Sequence, residues 1–212
     1  MQRSLEPELM DDLQQALAFH KANRDYGIKG FLDLYARYVG MPTGKIVDLG
    51  CGPGSYLFAL EEQYPQLTIT GYDGSEPMIQ IGRGVVESKS SNVRLRHVEF
   101  TDIDTTADCV ISTNTLHHVH DPKVFWDCVK RVSNRVFVMD LIRPSSPDIA
   151  RSIVDTLAPK ESIEFRFDFY NSLLAAFSKE ELEEQIKSTK LKLVIEGDPQ
   201  FLQVAIIHGT IL

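Results

Sequence analysis

The sequence predicts an α/β protein built on a seven-stranded, mostly parallel, doubly wound sheet with helices on both faces and one antiparallel edge strand. Two observations carry this. Five short apolar runs lie between residues 45 and 142, and amphipathic stretches with helical spacing alternate with them, the pattern of parallel strands joined by right-handed crossovers. The chain then ends in "LKLVIEGDPQFLQVAIIHG", two strand-like runs joined by Gly197, Asp198 and Pro199, a hairpin that turns one strand against the others.

The elements follow in order. Leu9, Leu13, Ala16, Leu17 and His20 recur at helical spacing, and "IKGFLDLYARYVG" puts Phe31, Leu34, Tyr35 and Tyr38 on one face before Gly40, Met41, Pro42 and Thr43 stop it. "KIVDLG" reads as a strand and "GSYLFALEEQYP" as a helix ending at Pro65; "LTITGYD" is the second strand. In "SEPMIQIGRGVVESK" Ser75 suits the N-cap and Pro77 the first helical turn. "NVRLRHVEF" and "DCVIST" are strands, "DPKVFWDCVKRV" is a helix opened by Asp121 and Pro122, and "RVFVMDLI" is the fifth strand. In "EFRFDFYNSLLAAFS" Phe165, Phe167 and Phe169 alternate with charged residues, which suggests a half-buried strand or extended lid.

The 212 residues suit one domain, 1–212, with an N-terminal helical lid over 1–40, a core over 41–212 and a substrate-covering segment near 143–172. A net charge of −8 removes the general attraction for a nucleic-acid backbone. No apolar run is long enough to span a bilayer, and the acidic, amphipathic start lacks the apolar core of a signal peptide. Cys51, Cys109 and Cys128 are odd in number and form no CxxC pair, which fits reduced thiols in the cytoplasm.

The chemistry-bearing stretch is "VDLGCGPGSY". Gly50, Gly52 and Gly54 follow the first strand directly, so the backbone can turn tightly and a ligand can touch it without a Cβ in the way. In doubly wound sheets ligands bind at this carboxyl edge, and the next helix offers free N–H groups. A dinucleotide uses GxGxxG for its pyrophosphate. Here the spacing is GxGxG, and Asp48 two residues before would repel a pyrophosphate but suit a cationic amino group such as that of S-adenosylmethionine. Asp73, ending the second strand in "GYDGS", is placed to accept hydrogen bonds from ribose hydroxyls.

"VDLGCGPGSY", "GYDGSEPMI" and "NTLHHVHDP" resemble the successive motifs of the class I S-adenosylmethionine-dependent methyltransferases, and the resemblance runs from about residue 45 to the end. It implies a Rossmann-like fold, S-adenosylmethionine as cofactor and S-adenosylhomocysteine as product. It implies that Gly50, Cys51 and Gly52 line the methionine part, that Asp73 holds the ribose, and that Gly74 and Met78 flank the adenine. The family often carries an acid after the third strand that meets the adenine amino group; Asp102 is the first choice here and Glu99 the alternative. Asn114 resembles a polar residue used near the sulfonium, although it would equally cap a strand end.

His117, His118 and His120 follow the fourth strand. A metal reading is set aside because zinc ligands usually come from separated positions and neither a nearby Cys nor HExxH is present. Two readings stand for His117 and His118: one of them faces the acceptor as general base, or they pack under the loop. Tyr26, Arg143, Arg166, Tyr170 and Asn171 are the polar candidates for the acceptor, with a substrate carboxylate on Arg143 as one option and a structural ion pair as the other. Family insertions near 143–171 and N-terminal helices commonly enclose the substrate. The expected function is methyl transfer to an O, N or C nucleophile of a small molecule by a monomer or homodimer, with no nucleic-acid or membrane partner. A non-catalytic cofactor-binding subunit and a nicotinamide-dependent oxidoreductase are the alternatives.

Overall fold

A computed structural model describes residues 1–7, 9–23, 28–198 and 201–211. The elements run α1 Leu13–Asn23, α2 Ile28–Val39, β1 Lys45–Leu49, α3 Ser55–Gln63, β2 Thr68–Asp73, α4 Glu76–Lys89, β3 Arg94–His97, β4 Cys109–Thr113, α5 Pro122–Val132, β5 Arg135–Leu141, α6 Pro147–Leu157, α7 Ile163–Ala175, α8 Lys179–Ile186, β6 Lys192–Gly197 and β7 Gln203–Thr210. The strands form one sheet in the order β3-β2-β1-β4-β5-β7-β6. β1 pairs in parallel with both β2 and β4, whereas β7 runs antiparallel to β5 and β6. The seven-stranded, mostly parallel sheet with a terminal hairpin is the one expected from the sequence, but the antiparallel strand is not at the edge: β7 lies between β5 and β6, and β6 forms the edge.

Alternation along each buried strand divides two cores. Val47, Leu49, Val110, Val136 and Val138 face Phe125, Val129 and Val132 of α5 and Leu182 and Ile186 of α8. Ile46, Ile111, Phe137 and Met139 face Phe31 and Tyr35 of α2, Leu57 and Leu60 of α3, and Ile79 of α4. Caps fix several helix starts. The hydroxyl of Ser75 accepts from Met78 N and the carboxylate of Asp121 from Lys123 N, each with a proline in the first turn.

Three expectations about local structure are corrected. Residues 163–175 are the helix α7, not a strand or extended lid. Ser162 caps it by accepting from Phe165 N, and Leu173 and Ala176 bury against Ala150, Ile153 and Val154. The Phe165–Phe167–Phe169 alternation has no buried face of its own: Phe167 is 63% exposed, and Phe165 and Phe169 are i,i+4 neighbours with ring centroids 6.2 Å apart. At the N-terminus the helix starts at Leu13 rather than Leu9. Asp12 accepts from Gln15 N at 2.9 Å, and Leu9 and Met10 lie against a cavity instead. The third strand also ends early, and Phe100–Asp102 form a 3-10 turn.

Candidate active site

The order of the strands reverses at β1, whose neighbours are β2 and β4. At the carboxyl edge beside this switch lies a cavity of about 460 Å³, where doubly wound sheets hold their ligands. Its walls come from the turns after β1, β2, β3 and β4, from α3 and α5, and from Leu9, Met10 and Phe19.

The glycine turn forms one wall. Gly50 and Gly52 have φ of 73° and 51°, the left-handed region. A Cβ on Gly50 would come within 2.1 Å of Thr115 Cγ2, so the turn after β1 packs directly on the loop after β4. Thr115 Oγ1 fastens the two by donating to Gly50 O at 2.9 Å. Gly50 N and Cys51 N both donate to Tyr72 O, which hooks the turn to β2. Cys51 and the other two cysteines are buried free thiols.

Asp73 closes the turn from the other side. Its Oδ2 accepts from Gly52 N at 2.7 Å and its Oδ1 from Ser75 N at 2.8 Å. Burial raises its pKa, while those two N–H donors pull it down. Asp48 is different. It is 1% exposed, and neither carboxylate oxygen has a hydrogen-bond partner. Burial, with Asp73 nearby, holds its pKa well above the usual carboxylate range. It does not itself line the cavity, but Cys51 and Tyr56, which do, both feel its charge. Gly54 also lies behind the wall, at the N-cap of α3 with φ 84°.

Gly74, Ser75 and Met78 continue the wall, and Glu99, Phe100 and Thr101 complete it from the turn after β3. Here the preferred acid changes. Asp102 is exposed and points out of the 3-10 turn, whereas Glu99 lines the cavity, and a Cβ on Gly74 would come within 2.9 Å of its Oε1. The turn tightens after Glu99, so the first acid faces inward and the second outward.

Thr113, Asn114 and Thr115 leave β4 into the cavity. Asn114 holds φ 52°, a region that asparagine tolerates better than most residues, and donates from Nδ2 to the Tyr56 hydroxyl at 3.3 Å. Burial pushes the Tyr56 phenol up to about 12, so it stays protonated. Tyr56 had no distinguishing signal in the sequence, because its neighbours read as an ordinary helix.

The two histidines separate. His117 is buried behind the cavity wall, its Nδ1 2.5 Å from Asp140 Oδ1 and its backbone N donating to Asp140 Oδ2 at 3.1 Å. Burial alone would lower the His117 pKa, but Asp140 outweighs it and holds the value above the ordinary one. Burial would likewise raise the Asp140 carboxyl, and His117 holds it down. His118 lines the cavity, and its Nδ1 lies 3.2 Å from Pro7 O. Burial, and then the neighbouring His117, push its pKa down to about 3, so it is a neutral imidazole.

The N-terminal segment crosses this edge. Arg3 donates to Ala175 O, His117 O and Val119 O at 2.6, 2.8 and 3.1 Å, and its guanidinium lies 3.8 Å from the Phe177 ring centroid. Ser75 Oγ donates to Met10 O at 2.7 Å.

The acceptor candidates do not gather here. Arg143 donates to Ala176 O and pairs with Glu181 at 2.9 Å, the structural option. Arg166 donates to Ala158 O and pairs with Asp155. Tyr170 lies beside Arg151 in a separate groove between α6 and α7. Asn171, on α7, is half-buried and absent from the cavity wall, and Tyr26 lies outside the described residues. The helical form of 163–175 turns Arg166 and Tyr170 toward Asp155 and Arg151 of α6, and Glu181 of α8 takes Arg143.

Residues 46–135 match the family model of the methyltransferase domain. Over 98 residues the chain is 34% identical to a trans-aconitate 2-methyltransferase of Streptomyces coelicolor, covering 42% of this chain and 31% of the relative. Over 96 residues it is 32% identical to that of Mycolicibacterium gilvum, covering 45% and 36%. The match thus spans about a third of the length of these curated relatives. The fold is that of the plantazolicin methyltransferase BpumL in complex with a pentazolic desmethylPZN analog and SAH, with a TM-score of 0.66, 17% identity and coverage of 93% of this chain and 96% of that one. An S-adenosylmethionine-dependent methyltransferase from Aquifex aeolicus superposes with a TM-score of 0.64 at 16% identity, covering 95% and 99%. Among the described residues no helix is long and apolar enough to cross a membrane.

Proposed function

We propose, on the match of residues 46–135 to the methyltransferase-domain model, that the protein is a class I methyltransferase that binds S-adenosylmethionine and transfers its methyl group to an O, N or C nucleophile of a small molecule, releasing S-adenosylhomocysteine. The observation that carries this reading is Asp48, a buried carboxyl group with two unpartnered oxygens just behind the glycine turn. A carboxylate so placed is costly alone and is stabilised by a cation. The ammonium of the cofactor's methionine part supplies one, whereas the pyrophosphate of a nicotinamide cofactor would be repelled.

The remaining residues fit the rest of the cofactor. Asp73 oxygens, already holding Gly52 N and Ser75 N, keep lone pairs for the ribose hydroxyls. Gly74 and Met78 leave a flat slot for adenine, with Glu99 to accept from its amino group. Asn114, Thr113, Thr115, Tyr56 and His118 then surround the sulfonium and the acceptor. When bound, the cofactor supplies an already activated methyl group, so the protein's task is alignment and exclusion of water. His118 accepts a hydrogen bond from the acceptor's O–H or N–H and orients it. With a pKa near 3 it is too weak a base to take the proton efficiently at neutral pH. His117 stays a positioning residue. The segment 1–40, with Leu9, Met10 and Phe19 against the cavity, serves as the cover.

The acceptor we favour is neutral or cationic. No Lys or Arg lines the cavity among the described residues, while Asp73, Glu99 and Asp121 do. The tricarboxylate named for the relatives would meet no such partner. Mass spectrometry of small molecules carried through purification, followed by calorimetric titration with S-adenosylmethionine and with NAD, tests the cofactor. Release of S-adenosylhomocysteine over a panel of small amines, alcohols and carboxylic acids tests the acceptor. Tighter NAD binding, or turnover confined to tRNA or a folded protein, overturns the reading.

A further inference from the structure

We propose that Glu6, His117 and His118 form a binding site for one divalent transition-metal ion of the zinc class, with its open coordination position toward the cavity. Glu6 Oε1 lies 3.5 Å from His117 Nε2 and 3.5 Å from His118 Nδ1. The three atoms lie within 4.8 Å of one another. These separations are long for hydrogen bonds. They approach the distance of about 3.3 Å between two ligand atoms that each sit about 2.0–2.1 Å from a tetrahedral ion.

The hydrogen bonding around the cluster leaves it short of a cation. His117 Nδ1 points at Asp140 Oδ1, 2.5 Å away. With the Nδ1 proton held by Asp140, the ring turns Nε2 toward Glu6, where it can carry a proton or ligate a metal. Glu6 Oε1 is itself buried with no hydrogen-bond partner, its side chain 8% exposed. Two acceptors facing each other in a dry site need a positive charge between them, a proton or a metal.

Three further features favour the metal over the proton. The donor set, two histidines and a carboxylate, is one that zinc takes in open sites. Asp140 on the far nitrogen of His117 is the outer carboxylate that typically orients a ligating histidine. His118 lines the cavity, so the site has an entry path and room for a fourth ligand. One contact must yield: His118 Nδ1 also lies 3.2 Å from Pro7 O, and ligation requires that its proton move to Nε2, so that with the metal bound His118 donates to the acceptor, and the accepting role proposed above belongs to the metal-free protein. The site depends on a residue 111 positions before His117 in sequence, which is why spacing around the histidines did not suggest it.

The test uses the full chain after dialysis against a chelator. Titration with Co²⁺ should give one ion per chain and the visible ligand-field absorption of a four- or five-coordinate site, and Zn²⁺ should displace it. Glu6→Gln and His118→Gln should each weaken Co²⁺ binding by at least about 100-fold, beyond the loss typical of an outer-shell partner. Their melting in chelator should stay that of a folded protein. His97→Gln, which removes a surface histidine paired with Glu76, should leave binding unchanged. Absence of a ligand-field band in the wild type, or equal Co²⁺ affinity in folded Glu6→Gln and His118→Gln proteins, overturns the proposal. The readout needs no methyl donor, so it stands or falls apart from the proposed activity.

Discussion

Replacing Asp48 with Asn should move stability and cofactor affinity in opposite directions. In the cofactor-free protein the Asp48 oxygens have no partner and the group is held protonated far above the usual carboxylate range. The unfolded chain ionises the same group near pH 3.9. A group whose folded pKa is raised contributes its full stability below the unfolded pKa and loses it as pH rises toward the folded one. Asp48→Asn removes that loss, so the variant should melt above the wild type at pH 7 and level with it below about pH 4. Binding reverses the sign. An ammonium seated at the glycine turn attracts the ionised carboxylate behind it by about 2–3 kcal/mol, taking a separation of roughly 6–8 Å and an effective dielectric of about 20, so the variant should bind S-adenosylmethionine about 30- to 150-fold more weakly. Calorimetry in buffers of different ionisation enthalpy should show proton release on binding to the wild type and none with the variant. 5′-Methylthioadenosine, which lacks the amino group, should bind both proteins alike. Equal affinity of the two proteins for S-adenosylmethionine, or an equal loss for 5′-methylthioadenosine, would refute the placing of the ammonium at Asp48.

Asp73→Ala should weaken S-adenosylmethionine by about 1.5–3 kcal/mol through the lost ribose bond, read by calorimetry. It should also lower the melting temperature, because Gly52 N and Ser75 N lose their acceptor. His117→Ala should destabilise the fold by about 3–5 kcal/mol, because Asp140 is left buried and unpaired; a denaturant melt within 1 kcal/mol of wild type (roughly the scatter of surface substitutions) would contradict the pairing. His118→Ala, assayed with chelator present, should lower kcat/KM by only about 2- to 10-fold, the worth of a neutral hydrogen bond, and a loss of about 10²-fold or more would restore it as the base. Arg3→Ala should speed dissociation of S-adenosylhomocysteine in stopped flow, and an unchanged rate would free the N-terminal segment of any covering role.

The sheet was legible because its signals are local: most strands are short apolar runs and several helix starts carry a side-chain cap. Ser75 and Asp121 were readable as caps for that reason. The glycine turn was readable because its left-handed backbone favours glycine, and Asp73 because it ends the strand beside that turn. What escaped depends on distance in sequence or on competing periods. Phe165, Phe167 and Phe169 show strand spacing, yet the cap at Ser162 and the apolar face at Leu173 and Ala176 decide for helix. Asp102 and Glu99 differ only by which way a 3-10 turn aims them. Arg143 and Arg166 carry the charge a carboxylate substrate would want, but Glu181 and Asp155 take it. Glu6 and Asp140 sit 111 positions before and 23 positions after His117, and only the folded chain joins them.

The N-terminal segment is fastened on both banks of the cavity, by Arg3 to the carbonyls of His117 and Val119 and by Met10 to Ser75. On the proposed reading of this segment as the cover, a bound cofactor would leave only when these fastenings give way. Residence time is then set by how often the strap lifts, and lifting breaks at least one Arg3 bond and the Ser75 bond together. Affinity and exchange rate are thereby uncoupled: the walls govern the first and the strap the second. A catalyst of this build would retain its spent donor for longer than its binding contacts alone dictate, and its throughput would follow the opening of the strap.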